Sequence, residues 1–120
     1  MERLKLVNRI GKDILIIDLS HCPVPDALPV LEHAKPLIRS RPPKSLLTLI
    51  DVSGSHYNQE FTNAVKVFAQ GNEPFVRATA LVGVTTVFAQ TLISLIQSLL
   101  RRPLQCCNDV ESALAWLSER

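Results

Sequence analysis

Three short apolar runs constrain this chain more than any other feature. They are ILIIDL (14–19), SLLTLIDV (45–52) and RATALVGV (77–84). Continuous apolar runs of this length are expected of strands covered on both faces. Helical periodicity separates them. Phe61, Ala64, Val65, Phe68 and Ala69 fall at i, i+3, i+4, i+7 and i+8, a core-facing stripe. An alternation of buried strands and amphipathic helices predicts a mostly parallel sheet with right-handed crossovers.

The ends complete the order. LKLVNRI (4–10) reads as a strand, and Gly11-Lys12-Asp13 turns it into the 14–19 run as an antiparallel hairpin. A helix is expected from about Asp26 to Ser40, with Pro29 in its first turn and a kink at Pro36. Asn58 is the expected N-cap of the next helix, and Gly71-Asn72 its end. LQCC (104–107) reads as a short last strand. Asn108 with Glu111 reads as a capping box for a final helix whose inner face is Val110, Ala113, Leu114 and Leu117. The order is β-β-α-β-α-β-α-β-α.

No charge occurs from Ala78 to Leu100, a stretch long enough to span a bilayer. From Thr85 onward, however, Phe88, Ala89, Leu92, Ile93, Leu95, Ile96, Leu99 and Leu100 share one face, and Gln90, Thr91, Ser94, Gln97 and Ser98 share the other. A lipid-facing helix would not segregate this way, so a buried strand, a glycine turn and an amphipathic helix are expected instead. The chain has 120 residues, one domain's length, with thirteen basic against eleven acidic residues and a net charge of +2. That charge, without aromatics among basic clusters, argues against a nucleic-acid partner. Cys22, Cys106 and Cys107 form no CxxC, and with no signal-like N-terminus they read as small core residues of a cytoplasmic protein. The scattered His21, His33 and His56 imply no metal, and no phosphate loop implies a nucleotide or other cofactor.

In open α/β sheets, ligands sit beyond the carboxyl ends of the strands. That rule selects Asp18 through His21 after the second strand, and Asp51, Ser53, Gly54, Ser55, His56 and Asn58 after the third. It also selects Gly83, Thr85 and Thr86 after the fourth and Asn108-Asp109 after the fifth. Asp18, Gly83, Thr85 and Thr86 are the candidate anion or ligand crevice. Asp51, Ser53, Gly54, Ser55, His56 and Asn58 are the candidate partner contact, with the serines as phosphorylation candidates. Ser53, His56 and Asp18 or Asp51 supply the residue types of a hydrolase triad, but there is no G-x-S-x-G elbow, so no catalytic residue is assigned.

The element order, the D-x-S-G turn at Asp51–Gly54 and the closing DVESALAWL resemble a STAS domain, the group of sulfate transporters and anti-sigma-factor antagonists. AKPLI (34–38), RPPKSLLTLIDVSG (41–54) and ALVGV (80–84) resemble its SpoIIAA-like small stand-alone bacterial proteins in particular. The resemblance implies a four- or five-stranded sheet with helices packed largely on one side. It also implies a non-catalytic, phospho-switched regulatory module whose partner is an anti-sigma-factor or kinase-like protein. Antagonists of that group carry the phosphorylated residue directly after the aspartate. Here that position is Val52, and Ser53 matches the second residue of the usual Ser-Ser or Ser-Thr pair. The group's likeness to CRAL-TRIO lipid carriers implies the alternative of a small apolar-ligand or lipid binder using the apolar face of the 85–100 helix. A homodimer is compatible with either.

Overall fold

The structure is a computed structural model that describes residues 3–55, 58–84, 90, 93–94, 97–98 and 100–120. A five-stranded sheet has the order β1-β2-β3-β4-β5, with β1 Leu4–Arg9, β2 Lys12–Asp18, β3 Leu46–Asp51, β4 Val76–Val82 and β5 Leu104–Cys107. β1 pairs with β2 antiparallel, and every later neighbour pair is parallel. Helix α1 is Val24–Arg39, α2 is Gln59–Gly71 and α3 is Val110–Ser118.

Strands that are added in sequence order, each through a right-handed crossover, place every crossover helix on the same face. α1 and α2 obey this. Their apolar stripes pack on the face carrying Leu15, Ile17, Leu46 and Val76, together with Leu19 and Val52 just past the strand ends. α3 follows the last strand, so no crossover dictates its side. It covers the opposite face, where Ala113, Leu114 and Leu117 meet Ile14, Leu47, Leu49, Ala78, Ala80 and Val82. The alanines of β4 let that helix approach closely. Both faces are therefore covered, which is why β2, β3 and β4 are continuous apolar runs.

Several boundaries differ from the sequence reading for local reasons. α1 starts at Val24, because Val24 belongs to the core and Pro25 suits a helix's first turn. It runs unbroken through Pro29 and Pro36, both on its exposed side, so the carbonyls that lose an N–H partner face water. Asp109, not Asn108, caps α3, its carboxylate accepting from the Ser112 amide at 2.7 Å. Asn58 caps α2 as expected, accepting from the Phe61 amide at 2.8 Å. Cys22 is a core residue, but Cys106 is exposed and Cys107 only half-buried, because β5 is an edge strand. Of the expected 85–100 helix, Gln90, Ile93, Ser94, Gln97 and Ser98 are helical, and Gln90, Ser94 and Ser98 are exposed as the polar face requires. Residues 85–89, 91–92, 95–96 and 99 lie outside the described residues. Among the described residues, no helix is long and apolar enough to cross a membrane.

Candidate functional site

The parallel register brings the selected segments together. Asp18 pairs with Asp51, and Asp51 with Val82, so β2, β3 and β4 end side by side. The ladder continues past the strands: the Leu19 amide donates to the Asp51 carbonyl at 2.8 Å, His21 to Ser53 at 2.7 Å, and Val52 to Val82 at 2.9 Å. Each aspartate then turns its own chain. Asp18 Oδ1 accepts the Ser20 amide at 2.9 Å and also the Ser20 hydroxyl. Asp51 Oδ1 accepts the Ser53 amide at 3.0 Å. Carboxylates that accept an amide two residues on are a common way to leave a strand.

Two glycines permit the close approach. Gly54 has φ +68°, and a Cβ there would overlap the His21 ring. Gly83 has φ +87°, and a Cβ there would overlap the backbone and hydroxyl of Ser53. Both left-handed conformations and both contacts favour the residue with no side chain. His21 itself has φ +50°, an unusual value for a non-glycine residue.

The serines are not equivalent. The Ser55 hydroxyl donates to the Leu19 carbonyl and ties the 51–55 turn to β2. The Ser20 hydroxyl is held by Asp18. Ser53 Oγ has no hydrogen-bond partner among the described residues, and Ser53 is half-buried beside the exposed Gly54. Val52, at the position directly after the aspartate, is 7% exposed and packs in the core under α1 and α2. The turn thus sends residue 52 inward and leaves the Ser53 hydroxyl without a partner among the described residues.

The structure brings Asp18, Asp51, Ser53, Gly54, Ser55 and Gly83 into one cluster. Asn58 stands at the start of α2, its side chain spent on the cap. His56, Thr85 and Thr86 lie outside the described residues. His21, in the segment that the strand-end rule selects, covers Gly54 with its ring. One neighbour lies outside every selected segment. Arg3 donates to the carbonyls of Asp18 at 3.2 Å and Ser20 at 3.1 Å, with its guanidinium 4.0 Å from the Asp18 carboxylate. Nothing in local sequence signals Arg3, since its partners are fifteen and seventeen residues away. No hydrogen bond joins Ser53 Oγ to a base among the described residues, and no cluster of metal-ligating side chains occurs among them.

A scan of protein-family models finds none that matches the chain, and no curated protein matches it. A solved structure does: the crystal structure of an uncharacterized protein from the DUF3478 family with a SpoIIAA-like fold, from Shewanella loihica PV-4. The TM-score is 0.68 at 14% sequence identity, over 95% of this chain and 91% of that one. At that identity the likeness speaks to architecture. The five-stranded sheet with its N-terminal hairpin, parallel remainder and C-terminal helix is a SpoIIAA-like fold.

Proposed function

We propose that this chain is a non-catalytic regulatory module of the cytoplasm, which presents the 51–58 turn and the start of α2 to a protein partner. Ser53 is its phosphorylation site. The observation that carries this reading is the division of labour among the serines. Ser20 and Ser55 are committed to holding the strand ends, and of the three only the Ser53 hydroxyl has no partner among the described residues. A phosphate there adds close to two negative charges at the tip of a protein surface. Asp18 and Asp51 supply two carboxylates nearby, of which Arg3 offsets one, so an added phosphate turns a weakly anionic tip into a strongly anionic one and repels a partner that fitted it before. An open groove between α1 and α2, bordered by Leu28, Ala64 and the exposed Val67, extends the surface beyond the turn. The partner expected by resemblance is an anti-sigma-factor or kinase-like protein, with no role for nucleic acid.

The test compares what co-purifies with wild type, Ser53→Asp and Ser53→Ala. The reading expects a protein held by wild type and Ser53→Ala and released by Ser53→Asp. Retention of every partner by Ser53→Asp would end it.

A second reading, a small apolar-ligand binder, is favoured by one observation. A largely apolar cavity of about 70 Å³ lies on the α1/α2 face of the sheet, with Ile93, Leu100, Arg102 and Leu104 also in its lining. A cavity of roughly 150 Å³ holds benzene. At less than half that volume, the cavity suits a molecule smaller than benzene and excludes a lipid chain.

A further inference from the structure

One wall of that cavity has a polar group that packing does not account for. Asn72 is 1% exposed, lines the cavity, and neither its carboxamide oxygen nor its nitrogen has a hydrogen-bond partner among the described residues. Buried amides in native proteins are paired, and one with both ends unpaired calls for an explanation. The backbone of Asn72 holds it in place. Its amide donates to the Phe68 carbonyl at 3.2 Å, and its carbonyl accepts from Phe75 at 3.0 Å and Val76 at 3.2 Å.

The other polar groups of the lining among the described residues are already spent. Thr48 and Thr79 hydroxyls bond each other at 2.8 Å. Arg102 Nε donates to Thr79 Oγ1 at 3.1 Å, and its Nη1 donates to Glu73 Oε2 at 2.7 Å. Arg102 is the charged residue of the lining, and Glu73 neutralises it. What remains for a ligand among the described residues is one amide NH2 and one amide oxygen, side by side, in an apolar surround that includes Ile50, Val65, Phe68, Leu81 and Leu104.

We propose that this cavity binds a small neutral molecule with an apolar body and an amide-like edge, which the Asn72 carboxamide pairs through two hydrogen bonds. A primary amide or a protonated carboxylic acid has the complementary edge. An anion does not suit it, because the Arg102 charge is already matched. The proposal rests on the ligand-binding reading above and adds the chemistry of the ligand.

The experiment titrates the isotope-labelled full chain with xenon, butan-2-one and propionamide, following amide signals of cavity residues by NMR. Butan-2-one and propionamide have nearly the same shape and differ by a methyl against an amino group. The expected result is binding of all three, with propionamide roughly tenfold or more tighter than butan-2-one, because the ketone leaves the Asn72 oxygen unpaired. In Asn72→Leu that preference disappears and xenon still binds. Equal affinity of wild type for the ketone and the amide overturns the role of Asn72 and leaves the cavity reading standing. No binding of any of the three overturns both. The wild-type comparison decides the matter even if Asn72→Leu fails to fold.

Discussion

Asp18 and Asp51 are register partners on adjacent parallel strands, and each carboxylate accepts the amide two residues further along its own chain. The two loops therefore leave the sheet by the same local device, and the bond from the His21 amide to the Ser53 carbonyl locks them together. The tip that we assign to partner contact is a shaped surface of two such loops and the Gly83 corner. Its geometry depends on a few replaceable atoms.

Gly83→Ala should cost more stability than Gly54→Ala. Both sites have positive φ, but at Gly83 the new methyl meets the Ser53 backbone, whereas at Gly54 it meets a histidine ring that can turn aside. Losses of about 2 kcal/mol and about 1 kcal/mol are expected, from the usual strain of such positions. Denaturant unfolding of the two variants checks the order.

Removing Glu73 should be among the most damaging single changes. Its carboxylate accepts from Arg102 Nη1 at 2.7 Å and from the Arg101 amide at 3.0 Å, and Lys44 Nζ donates to its carbonyl at 3.0 Å. Arg102 has only 5% of its side chain exposed, and burial pushes its guanidinium below its ordinary value despite the carboxylate beside it. Glu73→Ala leaves that charge buried without its counter-ion and should cost about 3 kcal/mol. Arg102→Met, which removes the charge instead, should cost less. Midpoints of urea unfolding for the two variants decide this.

Ile10→Asn should stabilise the fold. Ile10 is a β-branched residue with φ +54° in the two-residue turn between β1 and β2, and it is 83% exposed. Asparagine tolerates the left-handed region and is favoured at such hairpin turns. A gain of about 1 kcal/mol is expected, read as a rise in unfolding midpoint.

Acid should weaken the fold through three carboxylates, one of them Glu32, which the side-chain hydrogen bond and charge of Lys35 hold below its ordinary value. The Ser112 amide holds the Asp109 carboxyl below its ordinary value. The side-chain hydrogen bond from Asn8, aided by Arg41, does the same for Asp13. A carboxyl lowered in the folded state contributes stability above its unfolded pKa, and that contribution is lost as pH falls through the folded one. The loss should therefore begin at roughly pH 4 and deepen below it. Asp109→Asn keeps a capping oxygen but cannot titrate, so its acid limb should be shallower than that of wild type in unfolding measured from neutral pH downward.

The main elements of the fold were legible because burial writes directly into periodicity. β2, β3 and β4 are sandwiched between helices, so their runs are continuously apolar, and α2 repeats its apolar residues on one face. The α3 cap slipped by one residue, since Asn108 and Asp109 both cap well and only the packing of Ala113, Leu114 and Leu117 chooses between them. At the site, the strand-end rule found both aspartates and both glycines. It did not separate Ser53 from Ser55, because their difference is a bond from Ser55 to a carbonyl thirty-six residues away. The Glu73–Arg102 pair and the Asn72 carboxamide, without a partner among the described residues, were invisible for the same reason, being set by tertiary packing across distant segments.

The most direct test of the account is the intact mass of the chain purified from its own cells, followed by mapping of any modification. The account predicts a phosphate-sized increment on Ser53 that disappears in Ser53→Ala. An unmodified chain under every growth condition, or phosphate confined to Ser20 or Ser55, would contradict it.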